Sequence, residues 1–249
     1  MLLFRLLLAP LLVVAASLVA RRLGERAGGW LSAFPFVGFP VHLLLYLDHG
    51  TAFTVQSAKG ALYGVALLGV FSLAYAWTSR RLPWEFSLAV AWGLYLTFAR
   101  ILEPWDASLW LRIALSLAGP LFLSRLLPLV RNCQNKASPL PPWDIWLRTL
   151  SAFALVAGIA LASKLLGPSW SGLLTPFPVI TAILAVFAHS QVGSDAVVRI
   201  FQGFLPGLLS LCGFFATLAL ALPFLGAAAF GLALFVAVAA QVATLRSVA

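Results

Sequence analysis

Apolar residues along this chain neither alternate nor follow a narrow helical stripe. They run almost unbroken and are then cut by short polar turns. The runs are roughly twenty residues long, the length of a helix that crosses a bilayer, whereas a membrane barrel would show alternating segments of about ten residues. The pattern predicts about nine helices. They fall near Leu2–Ala20, Trp30–Leu47, Thr54–Trp77, Phe86–Leu102, Ala107–Leu127, Ile145–Leu166, Trp170–His189, Ala196–Ala221 and Phe224–Leu245. Tryptophans mark many of the ends (Trp30, Trp77, Trp84, Trp105, Trp110, Trp143, Trp146, Trp170), as an interfacial belt requires. The expected fold class is all-α, a polytopic transmembrane helical bundle.

The first part of this pattern returns, without a gap, 143 positions later. Leucine and valine matches mean little in so apolar a chain. Arg5/Arg148, Gly24/Gly167, Gly29/Gly172, Pro35/Pro178, Gly50/Gly193, Gly60/Gly203 and Gly64/Gly207 mean more. An odd number of spans between the copies turns the second upside down, an arrangement common in secondary transporters. We expect residues 1–106 to form a four-helix repeat and 107–144 a linking helix with a polar loop. Residues 145–249 form the second, inverted repeat. The first apolar run ends Ala-Ala-Ser-Leu-Val-Ala, like a cleavable signal. Its copy, Ile145–Leu166, lies mid-chain, so the first helix is read as retained.

Composition narrows the solvent. Of 249 residues, 62% are hydrophobic and 9% charged, too few polar groups to cover a soluble surface. The net charge of +9 does not indicate nucleic acid, because the basic residues sit singly or in pairs at the ends of apolar runs. Arg21, Arg22, Arg26, Arg80, Arg81, Arg125, Arg131, Lys136, Arg148, Arg199 and Arg246 fall on one expected side. Only Arg5, Lys59, Arg100, Arg112 and Lys164 fall on the other. The positive-inside rule then puts the N-terminus outside and the C-terminus in the cytoplasm. Two cysteines, Cys133 and Cys212, do not make a disulfide framework.

The candidate chemistry lies in the second helix of each copy, read as Ser32-Ala33-Phe34-Pro35-Phe36-Val37-Gly38-Phe39-Pro40 and Thr175-Pro176-Phe177-Pro178-Val179-Ile180-Thr181. Proline inside a helix removes a donor and frees a carbonyl. In hydrocarbon such groups need protein or a polar cavity. Ser32 and Thr175 each stand three residues before the shared proline, where a hydroxyl can cap the half-helix that follows. Together with Gly38, Pro40, Pro178, Thr181 and the deeply placed His42, they form the expected solute site, unless the prolines only kink helices for packing. Gly60/Gly64 and Gly203/Gly207 allow close helix approach, with the proline-interrupted helix as the expected partner. Ser194-Asp195 reads as a helix N-cap, and Arg100, Glu103, Asp106 and Arg112 as an outer charge cluster. No metal, cofactor or enzyme signature stands out.

Gly28-Gly29-Trp30-Leu31-Ser32-Ala33-Phe34-Pro35-Phe36-Val37, followed by Tyr46-Leu47-Asp48-His49-Gly50, resembles the small bacterial inner-membrane proteins typified by GlpM. Ser171-Gly172-Leu173-Leu174-Thr175-Pro176-Phe177-Pro178 looks like the same element again. Members of that group are about one copy long. The resemblance therefore implies a fused pair in the bacterial inner membrane. Gln191 stands where the first copy has Asp48, so the acidic end is not shared.

These features point to a small secondary transporter or exporter of a neutral or amphipathic solute. The rivals are a non-transporting scaffold for a membrane partner and, without supporting residues, an intramembrane enzyme or lipid-handling protein. A cavity beside the Pro35 and Pro178 segments favours transport, dense packing there the scaffold, and a sideways-opening groove lipid handling.

Overall fold

The computed structural model describes residues 14–130, 147, 149–151, 154 and 177–245, and among these there is no strand. The helices are α1 (residues 14–23), α2 (Glu25–Ser32), α3 (Gly38–Thr78), α4 (Trp84–Leu102), α5 (Leu109–Ser124), α6 (Val179–Gln191), α7 (Ser194–Leu225) and α8 (Ala228–Ala243). Residues 147, 149–151 and 154 are also helical. Most of the expected spans Leu2–Ala20 and Ile145–Leu166 lies outside the described residues.

Single glycines turn the chain. Gly24 (φ 95, ψ 164), Gly50 (φ 77, ψ −173) and Gly193 (φ 113, ψ −178) occupy a backbone region essentially closed to other residues. Gly50 lies inside α3, and its effect there is large. As one straight rod, the 41 residues of α3 would be about 60 Å long, twice a bilayer's hydrocarbon core. His42 and Ser57, about 22 Å apart along such a rod, instead meet at 3.3 Å. The arms 38–49 and 51–78 therefore fold back on each other about Gly50. Gly193 marks the equivalent corner between α6 and α7.

Neighbour contacts set the directions. Asp195, in the first turn of α7, meets Arg80 just beyond α3, while Phe201 packs edge-on to Phe71 and Tyr75. Arm 51–78 and α7 thus run antiparallel, joined by an aromatic ladder of a kind that adds about 1 kcal/mol per ring pair beyond simple burial. Gly50 opens that arm and Gly193 lies beside its far end, so the two corners sit at opposite ends of the bundle. α2 runs parallel to α7, since Glu25 pairs with Arg199, Arg26 with Gln202 and Trp30 with the backbone at Gly207. One core joins α3, α4, α6, α7 and α8.

By length and apolarity, α3, α4 and α7 could each cross a membrane, whereas α5, α6 and α8 are shorter apolar helices. One expected span needs correction. The proline-interrupted span Trp30–Leu47 begins earlier, at Glu25, stops at Ser32 and resumes at Gly38. The break spans Ala33–Val37, where proline geometry replaces helical hydrogen bonding.

Candidate functional site: two proline turns and a cavity

Pro178 has φ −75 and ψ 57, and the Val179 N–H donates to the Phe177 carbonyl at 2.7 Å. This is an inverse γ-turn. The first copy repeats it at the equivalent atoms, with the Phe36 N–H donating to the Phe34 carbonyl at 2.7 Å. The next helical bond is shared as well: Phe39 N–H to Pro35 O at 2.9 Å, and Ala182 N–H to Pro178 O at 3.0 Å. Pro40 lies in the first turn of α3, where a missing N–H costs no helical bond.

The surroundings of the two turns differ. In the first copy the last carbonyls of α2 accept backbone N–H groups, Ala33 to Trp30 O and Phe34 to Leu31 O, and side chains of other helices add to them. Gln241 of α8 donates to Trp30 O at 2.7 Å, and the Ser210 hydroxyl of α7 lies between Gly207 O at 3.0 Å and Ala33 O at 3.3 Å. Ser32 donates back to Gly29 O at 2.7 Å. The expected cap is thus corrected: Ser32 closes the helix behind it, and Val37, the N-cap residue of α3, gives no side-chain cap. Gly38 faces Phe215, whose ring would lie 3.1 Å from an added Cβ. His42 is fully buried on the same ring, at 4.9 Å between centroids. Its Nδ1 meets Gly38 O at 3.0 Å, which requires a proton on that nitrogen, and Nε2 faces the Ser57 hydroxyl. His42 is a staple across the Gly50 hairpin.

In the second copy Phe177 packs on Trp92 and Tyr95 of α4. Pro178 and Thr181 are buried at the start of α6. Thr175 lies outside the described residues. Between α4, α6 and helical residues 147 and 151 is a cavity of about 380 Å³, lined by neither Pro178 nor Thr181. Its walls include Trp84, Trp92, Ala182, Ile183 and Phe187, with the hydroxyls of Ser151 and Ser190. Those hydroxyls donate to Leu147 O and Phe187 O, leaving only their lone pairs. The buried Trp92 Nε1–H has no hydrogen-bond partner among the described residues. Sequence reading missed Trp92, although a mid-span tryptophan away from the interfacial belt was a visible signal. Gln241 and Ser210, lone polar residues in apolar runs, were visible too.

The glycine pairs part company. A Cβ on Gly203 would collide with the Arg26 carbonyl, and one on Gly207 would lie 2.9 Å from Ala33 Cβ and 3.1 Å from Trp30 O. The expected partner, the helix before the proline turn, is the one they admit. Gly60 is corrected: an added Cβ meets nothing within 4 Å. Gly64 is buried. The segment equivalent to α2, residues 168–175, lies outside the described residues.

Two further corrections concern charge. Gly193, not Ser194, is the N-cap of α7, and Asp195 bonds Arg80 at 2.5 Å while the same guanidinium reaches Leu129 O at 2.7 Å. Arg112 of the outer cluster is buried, stacked 4.6 Å over the Tyr63 ring and held by Asp106 at 2.9 Å. Arg100 pairs with Glu103. Among the described residues no cluster of His, Cys, Asp or Glu could hold a metal ion.

No family model, curated protein or solved structure matches this chain.

Proposed function

We propose that this chain is a multi-pass bacterial inner-membrane protein built from two inverted four-helix repeats joined through α5. In this reading it works as a small secondary transporter or exporter of a neutral or amphipathic solute. One observation carries it: the same proline turn and glycine corner recur 143 positions apart, with the corners at opposite ends of the bundle. Copies related in this way about a shared axis can rock against each other and expose a central site alternately to either side. Charge supports the orientation, N-terminus out and C-terminus in. Arg26, Arg80 and Arg199 gather at one end with Glu25, Asp195 and Gln202, whereas Arg100 and Arg112 lie with Trp105 at the other. The resemblance to the GlpM group agrees with the membrane assignment.

Reconstitution into liposomes with a panel of neutral and amphipathic solutes tests the reading. Flux should appear, and the double variant Pro35→Ala, Pro178→Ala should abolish it with insertion intact. Undiminished flux in that variant removes the proline turns from the mechanism. A scaffold is the second reading, favoured by the side-chain seal over the first turn and by the exposed apolar face of α8 at Leu232, Phe235, Val238 and Val242. A protein that inserts and folds but moves no solute would fit it.

A further inference from the structure

The walls of the cavity between α4 and α6 follow one helical spacing. α4 contributes Trp84, Leu88 and Trp92, and α6 contributes Ala182, Val186 and Ser190, each set four residues apart. Residues so spaced lie one above another on a single helix face, so the cavity is a slot running along both helices. Eight residues of helix make it about 12 Å long. Glu85 lies within electrostatic reach of His189, and Phe177 packs on Trp92, so α4 and α6 run antiparallel. The Trp84 and Ser190 end is therefore the end that carries Arg80 and Asp195, and the far end lies where Phe177 meets Trp92 and Tyr95. The slot opens sideways. Trp84, Leu147 and Ser190 on its walls are exposed, and the adjoining face of α4 is an exposed apolar stripe of Phe86, Val90, Leu94 and Phe98. None of the described lining residues is ionisable, and both serine hydroxyls already donate to carbonyls of their own helices. Charge appears only at the mouth. Arg80 is held by Asp195 and Leu129 O, whereas Arg81 is exposed and pairs with no described acid. Glu85, next to Trp84, is exposed as well.

We propose that the slot holds one acyl chain of a zwitterionic phospholipid, its phosphate towards Arg81 and its ammonium towards Glu85. The dimensions agree. One leaflet contributes about 15 Å of hydrocarbon, half of the bilayer core, and a slot of about 12 Å takes most of such a chain. A polar ligand would lose its hydration to walls that return none of it. A hydrocarbon without a headgroup suits the walls but leaves the charged mouth unused. The lipid is resident rather than cargo, so the inference goes beyond the transport reading and needs only the membrane placement of α4 and α6.

The test is photolabelling of the full-length protein in liposomes, with cross-links mapped by mass spectrometry. The probes carry a diazirine at mid-chain: an ethanolamine phospholipid, a glycerol phospholipid with the same chains, and an alkane without a headgroup. The ethanolamine lipid should label Leu88, Ile183 and Val186 about threefold more than the glycerol lipid, the ratio one exposed ion pair supports. Arg81→Gln combined with Glu85→Gln should erase that preference. Val186→Trp, filling the slot, should abolish labelling of its walls while labelling of Phe86, Val90 and Leu94 stays unchanged, which also reports an intact fold. Leu88→Trp, from the opposite wall, should do the same. Slot labelling no denser than that of the outer α4 face, or unchanged by either tryptophan, overturns the site. Alkane labelling equal to the ethanolamine lipid's, or a headgroup preference that survives the double variant, overturns the phospholipid assignment. Absent flux alongside the expected labelling would sink transport and leave the lipid site standing.

Discussion

Around Pro35, the carbonyls of Trp30 and Ala33 end on Gln241 and Ser210, and Phe215 closes over Gly38. Around Pro178, Phe177 instead packs on Trp92 and Tyr95 of α4, and one helical turn on, Ala182 begins the wall of a cavity. The two regions share hydrogen-bond geometry down to equivalent atoms. What differs is which side chains other helices bring to them. A duplicated backbone device can therefore keep its geometry in both copies while meeting different neighbours, because the turn is local and its surroundings are not.

The sharpest break in this comparison is at the glycines. Gly203→Ala would force the backbones of α2 and α7 apart, and we expect a loss of about 3 kcal/mol, the upper part of the overpacking range. The equivalent Gly60→Ala should be neutral or stabilise by about 0.5 kcal/mol, since the new methyl meets open space and alanine favours helix. Reversible unfolding in mixed micelles measures both, and equal losses would show the copies to be packed alike. Next come the corners: Gly50→Ala and Gly193→Ala should each cost about 2 kcal/mol, because both positions hold glycine-only dihedrals. Here the copies should behave alike, and a cost at one alone would separate them. Smallest is the seal. Gln241→Leu removes one of two bonds to the Trp30 carbonyl, which keeps the Ala33 N–H at 3.2 Å, and should lower stability by about 0.5 kcal/mol, whereas Ser190→Ala should leave it unchanged. A silent Gln241→Leu would mean the first turn is not held shut by that bond.

Much of the fold was legible in the sequence. Helix positions follow from apolar run length, and the glycine and proline corners from residues whose backbone preferences act alone, so Gly24, Gly50, Gly193, Pro35 and Pro178 sit where they were expected. The interruption near Pro35 was foreseen, but its satisfaction was not. Ser32 turned back to Gly29 because its helix ended beside it, and the hydroxyl found the nearer carbonyl. Asp195 left the expected cap for Arg80, a guanidinium more than a hundred positions away in the chain.

The chain by itself determined where helices start, stop and reverse, since a glycine's free φ or a proline's fixed one needs no neighbour to take effect. Only tertiary structure decided that Gly203 rather than Gly60 admits a second backbone, that Gln241 and Ser210 reach one turn, and that Trp92 packs on the other. Those outcomes depend on side chains meeting across as many as 211 positions, where packing of whole helices, not local preference, sets which groups come within reach.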